Sequence, residues 1–151
     1  MPRPKAPPKP YFCNVDLDIE STTKLDLLIK EMGDRVCVLD SGFLSNKRRY
    51  LARLEIADAF AGPDATIHAL CSVVDDLSPI ARKIWNAARK TFDVGYELRP
   101  SERYSAFTLR TDTLKRVVSV GGTLTVTYYH YECCENRPVS TSAKPAARKR
   151  K

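Results

Sequence analysis

The stretch "NVDLDIE", Asn14 to Glu20, alternates polar and apolar residues without interruption. The apolar residues therefore lie on one side of an extended chain, and the polar residues lie on the other. This alternation predicts a strand with one face on the hydrophobic core and the other face in water. The polar face carries Asp16, Asp18 and Glu20, so it is either a metal or catalytic site or an ordinary solvated row.

Outward from this strand, hydrophobic periodicity predicts further strands and helices in the order β-α-β, β-αα-β, β-α-β. The predicted strands are "YFCNVDLDIE", "RVCVLD", "RRYLARLEIA", "FDVGYEL", "YSAFTLR" and "TLTVTYYHYE", and "SGFLSNK" is predicted as a loop. In the first strand, Cys13 is expected to face inward with the alternate apolar residues. Ser21, Ser78 and Asp112 are expected to cap the helices that follow them.

This order predicts an α+β fold, with an antiparallel or mixed sheet of about six strands and helices packed on one face. The first two units match the βαββαβ order of ferredoxin-like folds, and the last unit is a βαβ extension. In a ferredoxin-like order the first and third strands are neighbours. Arg49 and Arg53, on the outward side of the third strand, would then pair with the acids of the first, which favours a solvated row of ion pairs.

The net charge of +7 is concentrated at the two ends of the sequence. Residues 1–10 contain three bases and no acid, and residues 132–151 contain six bases and two acids. The remaining sixteen bases and sixteen acids cancel each other between Tyr11 and Tyr131. We therefore expect a disordered Pro/Lys-rich tail over 1–10, a single domain over 11–132 and a disordered basic tail over 133–151.

The cysteine pattern and the absence of a recognisable targeting signal indicate the cellular compartment in which the protein is expected. No apolar h-region follows the basic start, and no apolar run is long enough to span a bilayer. The five cysteines include no CxxC pair, so neither a disulfide framework nor a structural zinc site is expected. These features favour a cytoplasmic protein, or a nuclear protein if the source is eukaryotic.

The sequence contains no recognisable catalytic constellation. A two-metal site of the polymerase-palm type would need carboxylates on the second hairpin, which offers only Asp40. No glycine-rich phosphate loop occurs. Neither His68 nor His130 has a serine or cysteine and an acid that can be identified by spacing. We therefore predict no catalytic residue, no bound metal and no cofactor.

The aromatic run "TYYHY" is the best candidate for a contact surface. Tyr129 and Tyr131 lie on the same side of the last strand as two threonines. Tyrosines on an open sheet face stack on bases in RNA-recognition modules, but here the acid row would repel phosphate. They also anchor protein partners. The pattern favours a non-enzymatic binding domain for a protein or for a second copy of the chain, and no membrane. The predicted contact residues are Tyr129, Tyr131, Arg49, Arg53 and Asp18.

Two alternatives remain open at this point. The C-terminal run "KPAARKRK" is typical of nuclear localisation signals and of nonspecific phosphate binding, so the tails could bind nucleic acid. The residues that would do this are Arg148, Lys149, Arg150 and Lys151. A small-molecule enzyme is the other alternative, with a site between sheet and helices. Its candidate residues are Asp16, Asp18, Glu20 and His130.

From about Tyr11 to Tyr131, the sequence resembles a bacterial family of small α+β domains of unknown function. The segments that carry the resemblance are "YFCNVDLDIE" and "LKRVVSVGGTLTVTYY". Some members are suspected to serve as immunity proteins beside toxins. The family usually follows its first helix with a proline, a tryptophan or arginine, and a "KG" pair, where this chain has "MGDRVCVLDSGF". The resemblance implies a binding module and no catalytic residues.

Overall fold

A computed structural model describes residues 11–98 and 106–130 of the chain. Five strands and four α-helices follow one another in this part. They are β1 (Tyr11–Ser21), α1 (Asp26–Met32), β2 (Val36–Leu44), β3 (Arg49–Ile56), α2 (Pro63–Asp75), α3 (Pro79–Ala87), β4 (Arg89–Leu98), α4 (Thr111–Ser119) and β5 (Thr123–His130). The architecture is α+β, as the periodicity predicts.

The five strands form one mixed sheet in the order β2-β3-β1-β4-β5. β1 lies at its centre, antiparallel to both β3 and β4. β2 pairs antiparallel with β3, whereas β5 runs parallel to β4 after the crossover through α4. The expected adjacency of the first and third strands is confirmed, and it places the acids of β1 beside the arginines of β3.

The hydrophobic core lies on the helix side of this sheet. β1 contributes every second residue from Val15 to Ile19, each at most 1% exposed. The same alternation buries Ala52 and Leu54 of β3, and the aromatic and aliphatic residues of β4. α2 packs on β1 and β3, and its buried stripe joins Trp85 of α3 in a single cluster. The opposite side of the sheet, which we call the outer face, carries the polar half of each alternation.

The sixth predicted strand is absent from the described residues. "YSAFTLR" was expected to pair, but residues 106–110 of that segment are irregular and lead directly into α4. Phe107 instead packs on the ring of Tyr96, with centroids 4.5 Å apart. Residues 106–110 therefore cover the end of the core and add no strand to the sheet.

Three local expectations are also corrected. Cys13 is exposed, because a bulge between Phe12 and Asn14 shifts the register and turns Phe12 toward the core. Most of the predicted loop "SGFLSNK" belongs to β2, which extends to Leu44. Asp112 lies in the first turn of α4 and is not its cap, since Arg110 holds that position.

Of the two serines that were expected to cap helices, one does so and the other does not. Ser78 caps α3 as expected, because its hydroxyl oxygen accepts a hydrogen bond from the backbone N–H of Ala81. Ser21 does not cap α1, which begins after Leu25; its hydroxyl accepts the N–H of Thr23 in the connecting turn instead. Within the described residues, every helix is too short or too polar to cross a membrane.

Candidate functional site

The outer face brings polar side chains from four neighbouring strands together. β1 supplies Asn14, Asp16, Asp18 and Glu20; β3 supplies Arg49, Arg53 and Glu55; β4 supplies Asp93; and β5 supplies Thr127 and Tyr129. These residues alternate with the core residues of the same strands, so the pleat alone places them on one side. All of them are partly or fully accessible.

The acid row of β1 is tied to the arginines of β3. Asp18 lies directly opposite Arg53 in the antiparallel register. The guanidinium of Arg53 donates two hydrogen bonds to the Asp18 carboxylate, from Nε at 2.7 Å and from Nη2 at 3.2 Å. Nε of Arg49 lies 3.4 Å from the Glu20 carboxylate. The expected cross-strand ion pairs are therefore present, and the hydrogen bonds to Asp18, followed by its charge, raise the pKa of Arg53.

Asn14, Asp16 and Glu55 form a second cluster next to these ion pairs, toward the start of β1. We call it the acidic cluster. The side-chain amide of Asn14 donates to Asp16 Oδ1 at 2.7 Å and to Glu55 Oε1 at 2.5 Å. One amide therefore holds two carboxyl groups close together. Burial, the hydrogen bond and charge of Glu55, and the charge of Asp18 together raise the pKa of Asp16 to about 6, although Arg53 opposes them. Asp16 therefore keeps its proton to a higher pH than an ordinary aspartate does.

Tyr129 closes the acidic cluster on the side of β5. Its ring lies over Gly95, where an added Cβ would be 3.0 Å from Cε2 of the ring and 2.5 Å from Oδ1 of Asn14. The glycine thus provides the space that both side chains occupy. Burial, followed by the charges of Asp16 and Asp93, raises the pKa of Tyr129. The phenol therefore stays neutral in the physiological range and keeps its proton as a hydrogen-bond donor.

Beside this cluster, the outer face forms an open depression of about 370 Å³. Its lining mixes both signs of charge with hydroxyl groups, and Leu44 and Leu51 form an apolar edge. Asp93 is held at the wall of the depression, because Thr127 donates to its carboxylate at 2.8 Å. The depression is therefore a partly open surface of mixed charge over the central strands.

The structure places four of the five predicted contact residues on this face: Tyr129, Arg49, Arg53 and Asp18. The fifth, Tyr131, lies outside the described residues, as do Arg148, Lys149, Arg150 and Lys151. The alternation of β1 placed Asn14 on this face but gave it no role, and sequence reasoning missed Glu55, Asp93 and Gly95 as members of the face. The alternation of β3 and β4 carried a signal for Glu55 and Asp93, but nothing in the sequence indicates that Asn14 bridges two carboxyl groups.

The alternative site between sheet and helices does not agree with the geometry. Asp16, Asp18 and Glu20 point away from the helices, into the ion pairs of the outer face. The side chain of His130, the fourth residue proposed for that site, is outside what the structure describes. His68 lies on α2 with Nε2 3.7 Å from the carboxylate of Asp112. In residues 11–98 and 106–130, no three histidine, cysteine or acidic side chains are grouped so that they could hold a metal ion.

Comparisons with protein-family models, with curated proteins and with solved structures found no match to this chain. The outer face is therefore the main structural basis for a functional assignment.

Proposed function

We propose that this chain is a non-enzymatic binding domain, which engages a protein partner through the outer face of its sheet. The observation that carries the proposal is the arrangement of Arg53, Asp18 and Tyr129 over the central strands. Two charged groups are held in fixed positions by a bidentate pair, beside a tyrosine that is 47% exposed. Arginine and tyrosine are the residues that most often dominate the energy of protein interfaces.

The charge balance of the face favours a protein over a phosphate-bearing partner. Around the depression, Lys47, Arg53 and Arg89 are matched by Asp18, Glu20 and Asp93. Nucleic-acid surfaces need a net positive potential, because their affinity comes from phosphate neutralisation. A surface with fixed charges of both signs gives orientation and selectivity toward a protein surface with the complementary pattern.

The test combines affinity capture from the source organism with calorimetry on the captured partner. We expect Tyr129→Ala and Arg53→Ala to weaken binding by tenfold or more each, since interface hot spots cost about 2 kcal/mol or more. Arg110→Ala is the matched control, because Arg110 is an exposed arginine paired with Asp112 on the helix side. A partner that binds both outer-face variants with unchanged affinity would contradict the proposal, and so would the absence of any protein partner together with turnover in a broad substrate screen.

An immunity-type role is a narrower form of the same proposal. It is supported by the resemblance carried by "YFCNVDLDIE" and "LKRVVSVGGTLTVTYY". Both segments contribute to the outer face, through β1 and β5. If the role is correct, the chain protects cells from a toxin encoded beside it, and the Tyr129→Ala variant protects less well at equal protein level. Equal protection by wild type and variant would assign the protective surface elsewhere.

Nucleic-acid binding through the basic tails is a second candidate function, supported by the nine bases in residues 1–10 and 132–151. Such binding would be weak, independent of sequence and steeply dependent on salt. Deletion of residues 138–151 is expected to remove most of the affinity for duplex DNA in a filter-binding or anisotropy assay. If the shortened chain keeps full affinity, the tail does not carry the binding.

We also propose that β1 to β4 with α1 and α2 form a ferredoxin-like unit. The support is the order β2-β3-β1-β4, with antiparallel pairing throughout. β5 pairs parallel with β4 and lies outside that unit as an extension.

A further inference from the structure

β2 is an open edge of the sheet with unusual exposure. It is nine residues long, and its residues from Cys37 to Phe43 are all exposed. Three of them are large and apolar: Val38, Leu39 and Phe43, which are 46%, 49% and 55% exposed. An edge strand presents unpaired backbone N–H and C=O groups, and native proteins usually protect such edges with lysine, proline or a short strand length. β2 contains neither lysine nor proline, and in the part of the chain that the structure describes only a bulge at Leu39 and the charge of Asp40 protect it.

The part of β2 beyond the bulge is regular from Asp40 to Leu44. Gly42 lies at the middle of this segment, with open space around the position of a Cβ. On the helix side, Ser41, Phe43 and Tyr50 line a groove of about 300 Å³ between β2 and α1. The ring of Phe43 rests against Tyr50 at the wall of this groove, with centroids 5.0 Å apart.

We propose that two copies of this chain pair antiparallel through their β2 edges, about a two-fold axis at Gly42, so that one continuous sheet runs through both. This surface shares Leu44 and Lys47 with the edge of the outer-face depression but none of Arg53, Asp18 and Tyr129, so this inference does not depend on the proposed function. An isologous contact of this kind needs only one strand that is complementary to itself. The central segment of β2 meets that condition.

The side chains agree with pairing about Gly42. The smallest residue lies at the axis, so the two backbones approach without obstruction. Phe43 of each copy lies opposite Ser41 of the other, on the helix side and beside the groove. Asp40 of each copy lies opposite Leu44 of the other, so the two acids do not face each other across the axis.

The charges at the ends of the strand are also complementary. The turn after β2 carries Lys47 and Arg48, both exposed. Antiparallel pairing brings this basic turn of one copy beside the start of β2 in the other, where Asp34 is exposed. The neighbouring Arg35 is already paired with Asp76, with Nη1 at 2.6 Å from Oδ2. Each end of the paired strands therefore joins opposite charges, which favours a second copy of the chain over an acidic or a basic peptide.

The experiment is sedimentation velocity on the full chain under reducing conditions, over a range of concentrations. Wild type is expected to dimerise. Gly42→Lys and Gly42→Glu each place like charges directly opposite each other at the axis, so each is expected to weaken dimerisation about tenfold or more. An equimolar mixture of the two variants is expected to associate again as a heterodimer. Val118→Lys is the matched control, because it adds the same base at a 74% exposed residue of α4, and its dimerisation should equal that of wild type.

Several outcomes would overturn the inference. A wild-type chain that stays monomeric at every concentration would do so, as would a dimer that Gly42→Lys leaves intact or that Val118→Lys also dissociates. Failure of the mixture to associate would exclude pairing about Gly42. A monomeric wild type that captures a different protein through β2 would assign the edge to that protein. Circular dichroism of each variant confirms that the fold is kept.

Discussion

At the scale of single residues, the outer face contains two neighbouring acids with opposite electrostatic situations. Asp18 accepts a bidentate pair from Arg53, whereas Asp16 shares the amide of Asn14 with Glu55. The first carboxylate is stabilised by its partner in the charged form. The second is half buried next to another acid, which makes its charged form costly. The same residue type, two positions apart on one strand, therefore contributes to stability with opposite sign at neutral pH.

The first prediction concerns Asp16→Asn. A carboxyl group whose pKa is higher in the folded state than in the unfolded state stabilises the fold only at low pH. Its contribution is complete below the unfolded pKa of about 4 and is lost as the pH rises through the folded value of about 6. Asparagine keeps the hydrogen bonds without the charge, so Asp16→Asn is expected to raise the free energy of unfolding by about 1 kcal/mol at pH 8 and by little at pH 4. Urea denaturation at both pH values measures the difference.

Asp18→Asn provides the matched comparison, because it makes the same change two residues along the strand. It removes one partner of an exposed ion pair, so it is expected to lower the free energy of unfolding by about 0–1 kcal/mol at pH 8. The loss should shrink in high salt, which screens exposed pairs. If both variants shifted stability in the same direction at pH 8, the assignment of opposite roles to these two acids would be wrong.

The second prediction concerns Gly95, which lies beneath Tyr129. A methyl group at this position would be 2.5 Å from Oδ1 of Asn14, so the amide and the ring must move. Because Asn14 is held by two hydrogen bonds, Gly95→Ala is expected to lower the free energy of unfolding by about 1–3 kcal/mol. Gly42→Ala is the control in another strand, where nothing lies within 4 Å of the added Cβ, and the variants are compared at a protein concentration at which the chain is monomeric. Equal stability of the two variants in denaturant titrations would show that Tyr129 does not pack over Gly95.

At the scale of secondary structure, periodicity predicted most elements because each buries one face on a single core. From Val15 onward in β1, and from Thr66 to Val74 in α2, the buried residues follow the period of a strand and of a helix. The errors occurred where the period is interrupted. The bulge that exposes Cys13 adds a residue that no alternation indicates. β2 has almost no buried side chains, so its second half carried no strand signal and was predicted as a loop.

The candidate site was also predictable only where it depends on regular alternation. The ion pair between Arg53 and Asp18 follows from the alternation of two strands and from their adjacency, and both were inferred from the sequence. The bridge from Asn14 to Glu55 depends on the bulge in β1 and on the exact stagger of β3, and neither is encoded by a local pattern. The space above Gly95 depends on the register of β5, which is set only after the α4 crossover.

The third prediction concerns the junction of α1 and α3. The hydroxyl of Ser78 accepts the Ala81 N–H and donates to Glu31 at 2.6 Å, and the Ser78 N–H also donates to Glu31. Ser78→Ala therefore removes a helix cap and a link between two helices, so it is expected to cost about 1–2 kcal/mol. Ser72→Ala, in the middle of α2, is the control and should stay within about 0.5 kcal/mol of wild type. A similar cost for both would mean that the Ser78 cap has no special role.

At the scale of the whole molecule, one hydrophobic cluster connects the sheet to all four helices. Trp85, the single tryptophan of the chain, is fully buried in this cluster. Its indole N–H donates to the carbonyl of Val120 at 2.8 Å, and the ammonium of Lys90 lies 5.4 Å from the ring centroid. α3, the end of α4 and the start of β4 therefore meet at one side chain. Tryptophan fluorescence reports on this junction, whereas far-ultraviolet circular dichroism reports on all elements together.

The last prediction uses both signals on Leu17→Ala. Leu17 is 1% exposed on the central strand, between Leu54 of β3 and Phe92 of β4. The truncation leaves a cavity that the flanking strands cannot close, so it is expected to lower the free energy of unfolding by about 2–5 kcal/mol. Because one core holds the described elements together, the fluorescence and circular dichroism transitions should shift together in guanidinium titrations. Leu39→Ala, at an exposed residue of β2, is the control and should change stability by less than about 0.5 kcal/mol. Two separate transitions in the Leu17→Ala variant would show that the sheet and the region around Trp85 unfold independently.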